Sequence, residues 1–323
     1  MCARQFQLWL EDEMSQEKHR AKNNRTLTLS ENEKKIYAEQ LVHELRQFSA
    51  KEILDKIICA DLFSAMEFLP EKFVDLLIVD PPYNLTKNFG AMKFSKTSNS
   101  SYCEYLESWL PNILRVLKPT ASVYVCCDWQ SSSDLYFVLK KYLRVRNRIT
   151  WQREKGRGAK SNWKNSCEDI FFATAGDEYF FDVDAVKLKR AVLAPYKQNG
   201  MPKDWNESDG KKFRMTHPGN FWDDISIPFW SMPENTDHPT QKSEKLFAKL
   251  ILASSPVDAV VFDPFLGSGT SAVVAKKLGR HFCGIEKNLE YCLWAQKRLD
   301  LAEHEKKIQG YEDGVFWERN SGK

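Results

Sequence analysis

Apolar residues in this chain fall into short runs with strand character, separated by longer stretches whose apolar positions recur at helical spacing. Lys56–Asp61 and Val74–Val79 read as strands, with a short helix over Ser64–Leu69 between them. Tyr102, Leu106, Trp109, Ile113 and Leu117 recur at helical spacing, which predicts a helix over 102–117 stopped by Pro119. Strands over Ser122–Cys127, Ile149–Gln152 and Asp169–Ala173 follow, with a helix over Ser133–Leu143 after the first of them. The rhythm resumes late in the chain with a helix over Ser243–Ser254, a strand over Ala259–Phe262 and a helix over Thr270–Leu278. A strand over His281–Ile285 and a helix over Leu289–Ala302 complete it. This alternation predicts an α/β fold, a Rossmann-like doubly wound and mostly parallel sheet with helices on both faces.

Two regions lie outside the rhythm. Residues 1–50 are polar and charged, and Ser30-Glu31-Asn32-Glu33 has the form of a helix-starting capping box. A helix after it with Ile36, Leu41, Leu45 and Phe48 on one face makes this an N-terminal helical extension. Residues 182–236 lack periodicity and are too long for an ordinary connection. Their aromatic content, including Trp205, Phe213, Phe221, Trp222, Phe229 and Trp230, argues for an ordered functional insertion between two halves, 51–181 and 237–323.

A chain of 323 residues with 42% hydrophobic content has ample material for a core. No apolar run approaches the roughly 20 residues that span a bilayer. The N-terminus carries acids early and lacks a signal-peptide core, so a cytoplasmic protein without membrane attachment is expected. None of the eight cysteines shows C-x-x-C spacing, and most lie in apolar segments, which points to reduced thiols and no metal. Net charge is only +3, yet Arg144–Lys164 packs Arg153, Lys155, Arg157, Lys160 and four other cations against the single acid Glu154, with two tryptophans among them. Such a basic loop is suited to following a phosphate backbone.

The candidate chemistry sits where two strands end. Phe262-Asp263-Pro264-Phe265-Leu266-Gly267-Ser268-Gly269 joins a strand to a helix through glycines, and Glu286 ends the next strand at the spacing expected of a ribose-binding acid. This points to an adenosine-type cofactor without choosing between nicotinamide, flavin and S-adenosylmethionine. Asp80-Pro81-Pro82-Tyr83 ends the strand Val74–Val79. Its prolines make a rigid turn with bare carbonyl oxygens, Asp80 adds a carboxylate and Tyr83 a flat ring. These are parts for gripping an exocyclic amine. Acceptors for both N–H hydrogens restore lone-pair density on a nitrogen that is otherwise a poor nucleophile.

In this respect Asp80-Pro81-Pro82-Tyr83 resembles the catalytic motif of DNA amino-methyltransferases, and the Phe262–Gly269 turn resembles their S-adenosylmethionine loop. Catalytic motif first and cofactor loop later is similar to the circularly permuted β group of these enzymes, and the likeness extends over Ile57–Ala302. His238-Pro239-Thr240-Gln241-Lys242 resembles the family's H-P-T-Q-K-P element, and Gly219-Asn220-Phe221-Trp222 its N-V-W element. Two departures stand out: Ser243 replaces the usual proline, and Cys167-Glu168 stands where the family often has His-Glu.

The resemblance implies that Asp80 accepts from the target amine beside a carbonyl of Pro81-Pro82, and that Tyr83 stacks on the flipped base. Asp263, Phe265, Gly267, Ser268, Gly269 and Thr270 would shape the cofactor's methionine end, Glu286 would bind its ribose and Asp61 its adenine amine. Thr240 and Lys242 would lie near its carboxylate. It makes 51–181 the catalytic half, 237–323 the cofactor half and 182–236 the target-recognition insertion, with Arg214 and the 144–164 loop on DNA. The expected activity is site-specific transfer of methyl from S-adenosylmethionine to adenine N6 in double-stranded DNA, because D-P-P-Y goes mostly with adenine in the family. Cytosine N4 is the alternative, with RNA or protein amides, or a non-methyltransferase nucleotide-binding protein, further off. Restriction–modification with a cognate endonuclease or a solitary role, and monomer or homodimer, stay open.

Overall fold

The computed structural model describes residues 21–89, 92–153, 160–192, 195–208 and 210–318. Lys155 and Arg157 lie outside these residues. Among those described, eight strands form the main sheet: β1 Lys56–Cys59, β2 Val74–Val79, β3 Leu117–Cys127, β4 Arg144–Gln152, β5 Cys167–Thr174, β6 Phe221–Trp222, β7 Val260–Asp263 and β8 His281–Glu286. Their spatial order is β1-β8-β7-β2-β3-β5-β4-β6. Every neighbouring pair is parallel except the two that β5 makes with β3 and β4.

Alternation along the strands sends side chains to two separate cores. Leu76, Ile78, Tyr124, Cys126 and Val261 face one; Leu77, Val79, Val123, Val125 and Phe262 face the other. Helices α1 Glu31–Glu39, α4 Glu244–Ser254, α5 Thr270–Lys277 and α6 Leu289–His304 cover the first face. Helices α2 Asn99–Leu114 and α3 Ser132–Tyr142 cover the second. With both faces buried, the strands need continuous apolar runs, and Leu76–Val79 is entirely buried.

Several expected boundaries move. The helix expected over 102–117 begins at Asn99, capped by Ser98, and carries Pro111 within it. It ends at Leu114, and Pro119 lies inside β3 instead of stopping the helix. The strand expected over Ile149–Gln152 is present but begins earlier, at Arg144, so the first part of the basic stretch expected as a loop is strand, with buried Ile149 and Trp151 anchoring it against β5. The capping box at Ser30 is present, with its reciprocal Glu33 bond, but α1 stops at Glu39. Leu41 and Phe48 are buried beyond the helix, and Ile36 is exposed, so the expected single face does not form.

Among the described residues of 182–236 a second sheet forms. Leu188–Ala191 pairs with Lys211–Thr216 on one side and with Val315–Trp317, from the far end of the chain, on the other. Leu188 and Phe316 carry this sheet onto the first core, beside Val186 and Trp222 of β6. There Lys249 of α4, its ammonium 5.0 Å and 5.5 Å from the rings of Trp222 and Phe316, meets the buried Asp224 at 2.8 Å. The described cysteines are free thiols, and no helix among the described residues is long and apolar enough to cross a membrane.

Candidate active site

Four parallel strands lie side by side in the order β1-β8-β7-β2, and each runs out into an acid. Asp61 follows β1, Glu286 ends β8, Asp263 ends β7 and Asp80 follows β2. The carboxyl ends of parallel strands are where an open α/β sheet places its ligands, since the connections diverge there and leave a crevice. The crevice here has a volume of about 470 Å³, within the range of small-molecule sites, about 300–1,000 Å³. Asp61, Asp80, Pro81, Pro82, Tyr83, Thr240, Lys242, Asp263, Phe265, Gly267, Ser268, Thr270 and Glu286 all line it. The two motifs, 180 residues apart in the sequence, therefore share one wall.

Gly269 stands behind the crevice, at the left-handed cap of α5 (φ 83°). Gly267 is also left-handed (φ 56°), and its N–H donates to Glu286 Oε2 at 2.9 Å. Glu286 Oε1 accepts from the Asn288 N–H at 2.8 Å. Each oxygen of a carboxylate has two acceptor positions, so the pair still offers acceptors to hydroxyl groups. Arg298 of α6 braces the loop from below by donating to the Ser268 carbonyl at 2.8 Å and to Thr270 Oγ1 at 3.0 Å. Thr270 in turn donates to the Lys242 carbonyl at 3.1 Å, tying the loop to the His238–Lys242 segment. Phe265 is set edge-on against Trp109 of α2, with ring centroids 5.3 Å apart. Asp61 caps the short helix Leu62–Ala65 through the Phe63 N–H, a strand-end role that leaves it on the rim of the crevice.

On the other side, Asp80 accepts from the Tyr83 hydroxyl at 2.8 Å and from the Lys242 ammonium at 2.5 Å. Tyr102 of α2 holds the turn from behind by donating to the Pro82 carbonyl at 3.2 Å. The Lys242 ammonium, buried, also lies 3.5 Å from Glu168 at the start of β5. Glu168 pairs on its far side with Arg153. Burial by itself would pull the lysine down, but Asp80 and Glu168 outweigh it and hold Lys242 above the ordinary lysine range. Burial, reinforced by Asp80, keeps the Tyr83 phenol protonated well above its ordinary value.

Asp263 is buried and His238, on the wall of the crevice, is partly so, with opposite consequences. Burial pushes the Asp263 carboxyl from 3.8 up to about 7, only partly opposed by hydrogen bonds from Ser271 and the Phe265 N–H. Burial pushes the His238 ring from 6.5 down to about 4. The contribution of Asp263 to stability is complete below pH 3.8 and is lost as pH rises to about 7; that of His238 is complete above pH 6.5 and is lost as pH falls to about 4. The two slopes oppose each other in the same window. Asp263→Asn keeps the shape and removes one of them. Its unfolding free energy should therefore climb between about pH 5 and 6.5 more steeply than the parent's, by on the order of 1 kcal/mol per pH unit. Chemical denaturation at the two pH values measures this; equal slopes would mean that Asp263 is already ionised in acid.

The residues expected on DNA are less gathered. Arg153 is drawn inward to Glu168, Lys160 is exposed, and Arg214 sits on the second sheet, paired with Asp204 at 3.2 Å. Glu168, His238 and Arg298 had no role assigned from sequence. His238 lay within a motif already noticed, and Glu168 beside a departure from it. Arg298 is one arginine on a helix, and nothing in its spacing distinguishes it.

The family model described as DNA methylase matches residues 74–297. Type II methyltransferase M.HpaI of Haemophilus parainfluenzae is 33% identical over 76% of this chain and 74% of its own length. DNA adenine methyltransferase YhdJ of Escherichia coli strain K12 is 32% identical over 77% and 83%. Among solved structures, the M1.HpyAVI–SAM complex superposes with a TM-score of 0.52 at 24% identity, covering 76% of this chain and 98% of that one. The cytosine-N4-specific PvuII DNA methyltransferase gives 0.56 at 16% identity, covering 77% and 91%. These last two likenesses are of fold, and the fold is the mostly parallel α/β sheet described above. With the family model matching more than half of the chain and both relatives above 30% identity over three quarters of it, this chain belongs to the DNA methylase family.

Proposed function

We propose that the chain transfers a methyl group from S-adenosylmethionine to the N6 amine of adenine in a nucleotide flipped out of duplex DNA. The observation that carries this is the meeting of Asp80 and the Gly267–Gly269 loop at neighbouring strand ends of one crevice. The wall fits such a cofactor. Carboxylates at all four strand ends suit a ligand that carries a sulfonium, an ammonium, an amine and ribose hydroxyls, and the volume suits its size. Glu286 and Asp61 would hold its nucleoside end, and Asp263, Phe265, Ser268 and Thr270 the other; when bound, it supplies a methyl electrophile whose sulfur leaves as a neutral thioether.

The chain's own contribution is alignment and acceptors. Asp80 and a carbonyl of Pro81-Pro82 take the two amine hydrogens, and Tyr102 stiffens that turn. Tyr83 offers its ring to the extruded base, which regains about 1–3 kcal/mol of the stacking it lost. Asp80, in the first position of the motif, supports adenine over cytosine, as does the similarity to an enzyme named a DNA adenine methyltransferase. Residues 182–236 and the basic segment that includes Arg153 and Lys160 are the proposed DNA-reading surface. Exposed Trp163, Phe221 and Trp230 lie in these segments.

Expression in a bacterial host without adenine methylation, followed by digestion of its DNA to nucleosides and mass analysis, tests the reading. N6-methyladenine is expected. N4-methylcytosine would transfer the same mechanism to the other base, and unmodified DNA would overturn the proposal.

A further inference from the structure

Both oxygens of Asp80 are engaged before any substrate arrives, one by the Tyr83 hydroxyl and the other by the Lys242 ammonium. An ammonium on a carboxylate is a close imitation of an amine on a carboxylate: nitrogen, hydrogen and oxygen in the same relation. The Lys242 ammonium also lies 5.4 Å from the centre of the Tyr83 ring, the ring proposed to stack on the base. We infer that Lys242 occupies the place of the target amine in the resting enzyme, and that Glu168 is the positioning residue that receives its ammonium when the base displaces it. This rests on the function proposed above and deepens it.

Four observations support the inference. Lys242 is buried except where it lines the crevice, so once cofactor and base fill that crevice its charge, on leaving Asp80, must keep an anionic partner. Glu168 is buried as well, and its Oε2 stands 3.5 Å from the ammonium, within a short side-chain movement of a full hydrogen bond. The same Oε2 lies 3.4 Å from the Tyr83 hydroxyl, so it faces both groups that hold Asp80. The other oxygen of Glu168 is held by Arg153, just after β4 and within the basic segment. An arginine called away by a DNA phosphate would leave Glu168 with more negative charge to offer the lysine. Arrival of DNA and release of the catalytic carboxylate would then be one linked event, and the acceptor would be kept satisfied in its absence.

The test compares Glu168→Gln, Lys242→Met and the double variant with the parent in single-turnover methyl transfer at saturating S-adenosylmethionine and duplex DNA. Glu168→Gln should slow transfer by about tenfold or more while cofactor affinity stays within about threefold. The double variant should be faster than Glu168→Gln alone, by at least about fivefold, because no ammonium is left to park. A merely structural role for Glu168 gives no such rescue. An independent reading is the affinity of protein saturated with the demethylated cofactor for a duplex with adenine at the target position, followed by the anisotropy of a fluorophore at the duplex end. Lys242→Met should bind the extruded base about threefold more tightly or better, since the rival donor is gone. Glu168→Gln at the parent rate, a double variant no faster than Glu168→Gln, or weaker base binding by Lys242→Met would each overturn the gate and leave the proposed function standing. A parent that methylates no DNA would overturn both.

Discussion

Asp80→Ala should slow methyl transfer by at least about ten- to a hundredfold while leaving cofactor affinity nearly unchanged. The carboxylate is the amine's charged acceptor, and losing one such hydrogen bond removes about 1.5–3 kcal/mol. Because the bond strengthens as the nitrogen becomes nucleophilic, the loss falls on the rate and not on binding. Asp80→Asn separates charge from shape: its carbonyl oxygen still accepts, so its rate should lie between parent and alanine variant. The alanine variant also leaves Lys242 with Glu168 alone, a partner 3.5 Å away, so some stability is lost as well. A thermal melt with and without cofactor distinguishes that loss from the catalytic one. An Asp80→Ala protein that transfers at the parent rate would remove the acceptor role.

Gly269→Ala should abolish cofactor binding at a concentration that saturates the parent. Gly269 caps α5 at φ 83°, a conformation that costs any other residue about 1–2 kcal/mol. An added Cβ would sit 2.5 Å from the Ala295 Cβ and 2.9 Å from its Cα. Those are atoms of the packed helix α6, with no flexible end to yield, so overpacking adds about 1–3 kcal/mol. Relief requires α5 and α6 to part, which pulls Ser268 and Thr270 away from Arg298 and opens the loop. Gly219→Ala is the control. Nothing lies within 4 Å of its added Cβ, and the expected change is within about 0.5 kcal/mol. Isothermal titration with S-adenosylmethionine compares the two. A Gly269→Ala protein that binds as the parent does would show the loop to be more pliant than its packing indicates.

The strands β2, β3, β5, β7 and β8 are legible because they are buried on both faces over most of their length, and burial leaves an apolar run. The errors came where one physical signal was read for two. Pro119 was expected to stop a helix, but the chain had already left α2 at Leu114, and a proline at that point of β3 is compatible with strand. The cations of Arg144–Arg148 hid the first half of β4, whose second half the apolar Ile149 and Trp151 announce. The second sheet escaped notice because its partners are distant: Leu188–Ala191 finds Val315–Trp317 from the opposite end of the chain, and no local period records that pairing.

The site divides in the same way. Asp80 and the Gly267–Gly269 loop carry local signatures, since each must make a turn that few residues allow. That they share a crevice follows from β2 and β7 being neighbours, as parallel strands of one sheet require. Glu168 left almost no trace. Its importance lies in facing Lys242, 74 positions later in the sequence, across a junction that only the folded chain brings together.

Asp80 and the glycine loop are proposed to form one site for moving a methyl group onto a base amine. The most direct test uses purified protein, S-adenosylmethionine labelled in its methyl group and mixed-sequence duplex DNA, with the product digested to nucleosides. Label is expected in N6-methyladenine. Label absent from DNA, although the same protein binds the cofactor, would contradict the proposal.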